Sequence, residues 1–289
     1  MLNSISLKKT NTLLKENEGI KFIIISSLFF SFVNILVKKL DNIPSYEIAF
    51  FRALISVLIS YYTIKKLNIN PWGNNKKILI LRGIFGTAGL LIFFFSIKIM
   101  PLATATTLQY MSPIFSTLLA FFILKERTKV IQWIFFIISF IGAFLLKGID
   151  SNVSLFYILL GMLGASMSGF AYNYIRKLKD SDHPLVIVFY FPLVSMPILT
   201  PYTLYNWINP NLIQWIYLLF IGIFTQIAQL YMTKAYQSEK IAIVSNFSYI
   251  GAIFSIIGGY FIFNEIISFS SILGMFLIII GAILSSIYK

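Results

Sequence analysis

Long apolar stretches alternate with short polar breaks along the chain. Each stretch of roughly 20 residues can cross a hydrocarbon core of about 30 Å as a helix. Ten such stretches fall near residues 19–38, 44–66, 78–99, 102–124, 129–147, 153–177, 184–205, 211–236, 241–263 and 267–287. Helices are favoured over a barrel, whose strands would alternate over segments of about ten residues. The pattern predicts an all-α membrane protein with ten transmembrane helices.

The second half of the chain repeats polar and glycine positions of the first half. Asn34, Lys38, Gly83, Tyr110 and Glu126 recur as Asn173, Lys177, Gly222, Tyr249 and Glu265. With five helices per repeat, an odd number, the second repeat must enter the membrane from the opposite face. We therefore expect two inverted five-helix repeats at 19–147 and 153–288, after a basic tail at 1–18. Many secondary transporters are built in this way, with the substrate site between the repeats.

Composition and charge support a membrane location. The chain is 58% hydrophobic and 11% charged, which leaves too little polar surface for a water-soluble globule. When the N-terminus is placed in the cytoplasm, 18 of the 23 Lys and Arg residues lie on the cytoplasmic side of the membrane. Four, Lys38, Lys39, Lys98 and Lys147, lie on the outer side, and Arg52 lies within a span. This bias predicts a multi-pass protein of the bacterial inner membrane with both termini cytoplasmic, and it counts Arg82 among the cytoplasmic charges. The net charge of +13 then serves orientation and contact with the lipid bilayer, with no nucleic-acid partner.

Four motifs in order carry a resemblance to a known family. They are the run from Pro44 to Arg52, Leu81-Arg-Gly83, Gln109-Tyr-Met-Ser-Pro113, and Glu126 at the end of the fourth span. The chain from 19 to 287 resembles an EamA-type member of the drug/metabolite transporter superfamily. The resemblance implies ten spans in two repeats of five spans each. It also implies transport of small metabolites without ATP, often the export of amino acids or related compounds.

Two charged residues stand out in the second span. Arg52 follows Pro44 by eight residues, about 12 Å of helix rise, which places it near the middle of the membrane. Such an arginine either ties the bundle together through polar partners or holds an anionic group of the substrate. Glu47 lies near the outer interface, where we expect it to be solvated or paired with Lys39. It is the one candidate for proton coupling within a span; otherwise the protein is a facilitator driven by the substrate gradient alone. Neither charge has a counterpart in the second repeat, which carries Ile187 and Pro192 there.

Polar stripes on other spans supply further candidates for a substrate site. They comprise Asn34, Asn173, Tyr110, Tyr249, Gln226 and Gln229, each with polar or small neighbours at helical spacing. Amides and hydroxyls in hydrocarbon need partners, so these stripes should face the interior of the bundle. They either bond neighbouring helices or line a central cavity, and the two tyrosines either bind substrate or simply pack.

Other positions favour structural roles. Gly83, Gly86 and Gly89 lie on one face of the third span and should allow close helix packing. Glu126 and Glu265 close equivalent spans, and each precedes a Ser or Thr that could cap the next helix.

Catalytic and cofactor chemistry has little support. The chain has one histidine, His183, and no cysteine, which excludes thiolate chemistry and Cys-based metal sites. We expect no metal and no cofactor. The predicted function is a secondary transporter, an exporter of small metabolites by alternating access. A lipid or lipid-carrier flippase is the nearer alternative, and an intramembrane enzyme is a distant one. The expected partners are a small-molecule substrate and the bilayer, and a homodimer is compatible with the sequence.

Overall fold

The computed structural model describes residues 18–40, 42–99, 105, 108–147, 154–263 and 269–288. The basic tail, except Glu18, and the predicted structural residue Glu265 lie outside these ranges.

Eleven α-helices account for most of the described residues, and no strand occurs within them. They are α1 (Glu18–Lys38), α2 (Ser45–Lys66), α3 (Lys76–Ile99), α4 (Ser112–Ile123), α5 (Val130–Lys147), α6 (Leu155–Lys177), α7 (Pro184–Tyr205), α8 (Leu212–Ser238), α9 (Ile241–Phe247), α10 (Ile250–Phe263) and α11 (Phe269–Ile287). Six of them, α1, α2, α3, α6, α7 and α8, are long and apolar enough to cross a membrane, and four further apolar segments are shorter. The all-α membrane class is therefore confirmed.

Local sequence signals set the starts of two helices that carry site residues. Asn211 and Gln214 form a reciprocal capping box at the start of α8, with bonds of 2.8 and 2.9 Å between side chain and backbone N–H. Pro184 begins α7, where its missing N–H costs nothing, and His183 Nδ1 accepts a bond from the N–H of Leu185 at 3.2 Å. Each cap satisfies backbone donors that no helical partner can reach.

Two spans that the sequence predicts as continuous are interrupted in the structure. A turn at Tyr110 and Met111 precedes α4, where Pro113 occupies the first turn of the helix. A second turn at Ser248 and Tyr249 separates α9 from α10. In these turns, backbone hydrogen bonds from residue i to residue i−3 replace the i to i−4 bonds of an α-helix. One of them joins the N–H of Tyr249 to the carbonyl of Asn246 at 3.3 Å. The two interruptions fall at the repeated tyrosine positions, and the tyrosine rings lie 6.1 Å apart.

Helix packing repeats between the two halves of the chain. The contact of α1 with α8 has its counterpart in that of α6 with α3, and the contact of α4 with α6 matches that of α10 with α1. Likewise α2 packs on α8 as α7 packs on α3, while α2 pairs with α7 and α5 pairs with α11. When the two halves of the chain are exchanged, each of these helix–helix contacts therefore becomes another contact of the set or remains the same contact.

The glycines of α3 lie where other groups approach the helix closely. A Cβ on Gly83 would come 2.7 Å from the Cβ of Val194 on α7. A Cβ on Gly89 would meet the Oγ of Ser168 at 2.6 Å, its backbone N at 3.0 Å and the carbonyl of Gly164 at 3.1 Å. Small residues on both helices thus bring the backbones of α3 and α6 into near contact.

Gly89→Ala is expected to lower the unfolding temperature in detergent by several degrees. The added methyl group would meet backbone atoms of α6, which cannot rotate away, and overpacking of this kind costs about 1–3 kcal/mol. Gly251→Ala is the matched control, because its Cβ would find nothing nearer than Ser27 Cβ at 3.4 Å, an ordinary contact. Equal melting temperatures for the two variants would contradict tight packing of α3 on α6.

Candidate functional site

A cavity of about 200 Å³ lies in the bundle between α1, α3, α6 and α8. Both interrupted spans border it, through Gln109, Tyr110, Ser112 and Pro113 at one break and Ser248 and Gly251 at the other. Arg52 of α2 and Phe191 of α7 complete the lining. The lining residues of α1 and α3 come from the middle of each helix, so the cavity sits halfway along the bundle.

Arg52 lines this cavity and is 5% exposed. Its Cζ atom lies 5.4 Å from the centroid of the Phe191 ring, a cation–π distance. It makes no hydrogen bond or ion pair with any residue that the structure describes. Arg52 therefore borders the cavity and contacts the aromatic ring of α7, and its role in substrate binding stays a prediction.

Arg82 is a second buried arginine in the same cavity, and its location differs from the sequence-based assignment. The charge pattern assigns it to the cytoplasmic side, but in the structure it lines the cavity and is only 2% exposed. Its Cζ atom lies 4.2 Å from the centroid of the Phe191 ring, and its Nη2 donates to the amide oxygen of Gln229 at 2.9 Å. Its Nε and Nη1 are buried and have no hydrogen-bond partner in the part of the chain that the structure describes. The guanidinium of Arg82 therefore has donors that no described residue satisfies, next to the cavity that Arg82 lines.

The cavity has a positive charge that its lining does not balance. Arg52 and Arg82 line it, and no aspartate or glutamate does so among the described residues. Buried charges are costly unless they are paired, so such a site is suited to an anion. Arginine is also the side chain best matched to a carboxylate, because its planar N–H groups can bind both oxygens.

Neutral polar groups and aromatic rings surround the arginines. Asn34 and Tyr110 line the cavity, and Gln109 Nε2 donates to Ser168 Oγ at 3.2 Å across it. The rings of Tyr172 and Tyr236 stack at 4.9 Å along one wall. The site therefore combines two cations with hydrogen-bonding and apolar surfaces, the usual make-up of a small-molecule pocket.

Three predicted site residues lie outside the lining and have other partners. Asn173 donates to the carbonyls of Ser116 and Gly169, at 2.8 and 2.9 Å, and so joins α6 to α4. Gln226 accepts from Ser56 and donates to Ser60, both at 2.7 Å, and so joins α8 to α2. Tyr249 is fully buried, with its ring 6.1 Å from that of Phe136. The polar stripes thus divide: Asn34, Tyr110 and Gln229 reach the cavity, and these three pack between helices.

Glu47 does not line the cavity either. It is 0% exposed, although the sequence suggested solvent or Lys39 as its partner. Its Oε2 accepts a hydrogen bond of 3.1 Å from the N–H of Ile208, in the segment between α7 and α8. Its Oε1 has no partner among the described residues. Glu47 therefore anchors that segment onto the first turn of α2.

Glu126 joins the ends of several helices. Its Oε1 accepts from Arg176 Nε at 3.0 Å, and its Oε2 accepts from the N–H of Ile241 at 3.2 Å, at the start of α9. Arg176 also donates to the carbonyl of Gln237 at 2.7 Å. We call Glu126, Arg176 and Gln237 the polar latch. The ion-pair partner of Glu126 is therefore an arginine 50 residues away in the chain.

A second polar cluster supports the same end of the bundle. The Asp182 carboxylate, in the connection between α6 and α7, accepts from the N–H groups of Asn74 and Asn75 at 2.6 and 3.2 Å. Gln237 Nε2 donates to the carbonyl of Asp182 at 3.0 Å, which links this cluster to the latch. Tyr236, next to Gln237, lines the cavity. The latch therefore adjoins one end of the cavity.

Sequence reasoning missed Arg82, Phe191 and Tyr172 as lining residues. Arg82 was detectable, because it lies six residues after Lys76 at the start of α3, about 9 Å into the membrane. Phe191 and Tyr172 carried no signal, since the chain contains 29 Phe and 16 Tyr and most apolar aromatics simply pack.

The bundle and its central polar cavity define a multi-pass membrane protein of the transporter class. The chain belongs to the EamA-like transporter family, whose sequence model matches residues 17–147 and again 155–287. The resemblance to the drug/metabolite transporter superfamily is thereby confirmed.

Relatives with named functions are also transporters. The chain is 30% identical over 268 residues to the pseudopaline exporter of Pseudomonas aeruginosa, covering 92% of this chain and 94% of that protein. It is 26% identical over 276 residues to the S-adenosylmethionine uptake transporter of Rickettsia prowazekii, covering 94% and 92%. One of these relatives exports its substrate and the other imports it, so similarity alone leaves both cargo and direction open for this chain.

A solved crystal structure of another protein shares the fold. Its TM-score with this chain is 0.82 at 15% sequence identity, covering 93% of this chain and 96% of that one. At this level of identity the likeness shows the architecture alone.

Proposed function

We propose that this protein is a secondary transporter of the bacterial inner membrane that exports small metabolites of about amino-acid size bearing a carboxylate. The observation that carries the proposal is the pair of buried arginines in the central cavity without a described counter-charge. A carboxylate would supply that charge and could accept hydrogen bonds from Nε and Nη1 of Arg82, which no described residue satisfies. The small cavity with its central charges favours a soluble metabolite over a lipid cargo.

The transport cycle follows from the proposed architecture of ten spans in two inverted repeats. The exchange of helix contacts between the two halves supports this arrangement. The interruptions at Tyr110 and Tyr249 support it as well, because broken helices at matching positions commonly form the substrate site of such carriers. Rocking of one repeat against the other would then expose the cavity to each side in turn.

Metabolite profiling tests the proposed function. Cells that lack the gene, cells that express it and cells that express the Arg52→Gln variant would be compared for small carboxylates inside the cell and in the medium. Export predicts that at least one such compound accumulates in the medium only with the wild-type protein. Depletion of the medium instead would show import, and no change in any metabolite would overturn the proposal.

Both chain termini are expected to be cytoplasmic. Reporter fusions at Lys289 and near Lys179 should therefore both give a cytoplasmic signal, because an even number of spans separates each from the N-terminus. A fusion near Asn209, in the segment between α7 and α8, is the control and should give a periplasmic signal. A periplasmic signal at Lys289 or Lys179 would rule out the ten-span topology.

Glu47→Gln is expected to leave substrate transport and its response to a pH gradient within about twofold of wild type. The sequence suggested this carboxylate as a proton carrier, but its bond to Ile208 holds it outside the cavity, and a glutamine oxygen can accept the same bond. Transport into reconstituted vesicles, with and without an imposed pH gradient, measures the effect. If the gradient drives wild-type transport and the variant alone loses that response, proton coupling through Glu47 is supported instead.

A further inference from the structure

The cargo can be specified further from the charge of the cavity, on the basis of the proposed transport function. Arg52 and Arg82 both contact one ring, that of Phe191, at 5.4 and 4.2 Å. A zwitterion such as a neutral amino acid adds no net charge to this site, and a monocarboxylate leaves one positive charge unbalanced. Two negative charges are needed to neutralise two buried arginines.

Each arginine also has donors for a carboxylate of its own. Gln229 accepts a hydrogen bond from Nη2 of Arg82 and so fixes the guanidinium, and Nε and Nη1 have no hydrogen-bond partner within the described ranges. Arg52 has no hydrogen-bond partner among the described residues, so its donors are also available. The protein therefore offers two separate sets of charged N–H donors rather than one.

Space and surface chemistry fit a short carbon chain between the two arginines. Gly86 lies beside Arg82, where a Cβ would come 2.6 Å from Nη1 and 3.0 Å from the Phe191 ring, so the missing side chain lets Arg82 and Phe191 pack against α3 at the edge of the cavity. Phe191, Leu90, Phe93 and Met232 supply an apolar wall in the same cavity. Methylene groups can pack on this wall while charged ends reach the arginines.

We propose that the cargo is a dicarboxylate, a small organic acid whose two carboxylates are bound separately by Arg52 and Arg82. Gln229 acts as a positioning residue that orients Arg82.

Competition among matched probes tests this proposal in purified protein at fixed ionic strength. Glutarate carries two carboxylates, glutaramate is the same length with one carboxylate replaced by an amide, and glutamine is a zwitterion of similar size. Glycerol phosphate tests whether a single doubly charged phosphate binds as well. Binding measured by calorimetry should favour glutarate over glutaramate by about tenfold or more, since a charge-assisted bond contributes at least that factor.

The arginine variants connect this preference to the site. Arg82→Gln and Arg52→Gln should each abolish the preference, so that glutarate and glutaramate bind about equally, because only one positive charge then remains in the cavity. Arg127→Gln is the matched control, since Arg127 is exposed and outside the cavity, and it should keep the wild-type preference. Arg82→Lys keeps the charge and should retain the preference at weaker affinity, which excludes misfolding as the cause.

The outcomes separate this inference from the proposed function. Equal or tighter binding of glutaramate or glutamine by wild type would overturn the dicarboxylate assignment, and tighter binding of glycerol phosphate would replace it with an organic phosphate. In either case, transport of the tighter-binding compound into vesicles would leave the transporter proposal intact. Binding of glutarate without transport of any probe would contradict the proposed function instead.

Discussion

Arg52→Gln is expected to lower the initial rate of substrate transport by about tenfold or more, because a hydrogen bond to a charged group contributes about 1.5–3 kcal/mol. The unfolding temperature without substrate should stay the same or rise. Arg52 has no hydrogen-bond partner among the described residues, so its replacement removes an uncompensated buried charge at the cost of only the contact with the Phe191 ring.

Transport assays in vesicles and melting curves in detergent measure the two effects side by side. Arg52→Lys keeps the charge without the planar donor geometry and should give an intermediate rate. A role confined to folding would show the reverse pattern, with a lower melting temperature and a normal transport rate at equal protein content. Such a result would remove Arg52 from the proposed binding site.

Glu126→Gln is expected to open the cavity toward the side of the polar latch. The carboxylate of Glu126 holds Arg176 of α6 and the N-terminus of α9 together, next to Tyr236 in the cavity wall. The pair is largely buried, with side-chain exposures of 11% for Arg176 and 23% for Glu126. Water can therefore replace the lost ion pair only in part, and breaking it costs free energy. A shift of about 1.4 kcal/mol between two conformations changes their populations tenfold.

The absence of cysteine from the chain makes this effect measurable. Ser27→Cys places a single thiol in the cavity, and a membrane-impermeant maleimide added on the side of Lys179 should label it about tenfold faster when Glu126→Gln is also present. Asp180→Asn is the control, because the pair of Asp180 with Lys179 is at 3.8 Å and exposed, and such pairs contribute little. Labelling that is equally fast in both variants would contradict a gating role for the latch.

One pair of residues shows why sequence alone could not complete the site. Gln226 and Gln229 belong to one polar stripe on α8, yet Gln226 meets the serines of α2 while Gln229 meets Arg82 in the cavity. Residues three apart on a helix point in directions about 60° apart, and this difference is enough for the two amides to face different neighbours. The packing of α2, α3 and α8 decides which amide contacts a helix and which lines the cavity. The periodicity of a single sequence does not encode this packing.

The sequence by itself determined the helical membrane class, the family and the central position of Arg52. Those properties follow from local physics: apolar length sets what can cross a bilayer, and helix rise sets the depth of a residue. Tertiary structure decided that Arg82 joins Arg52 on Phe191, that Glu47 is covered by the segment carrying Ile208, and that Glu126 pairs with Arg176. Each of these contacts joins residues far apart in the chain, so only the packing of the helices against one another could establish them.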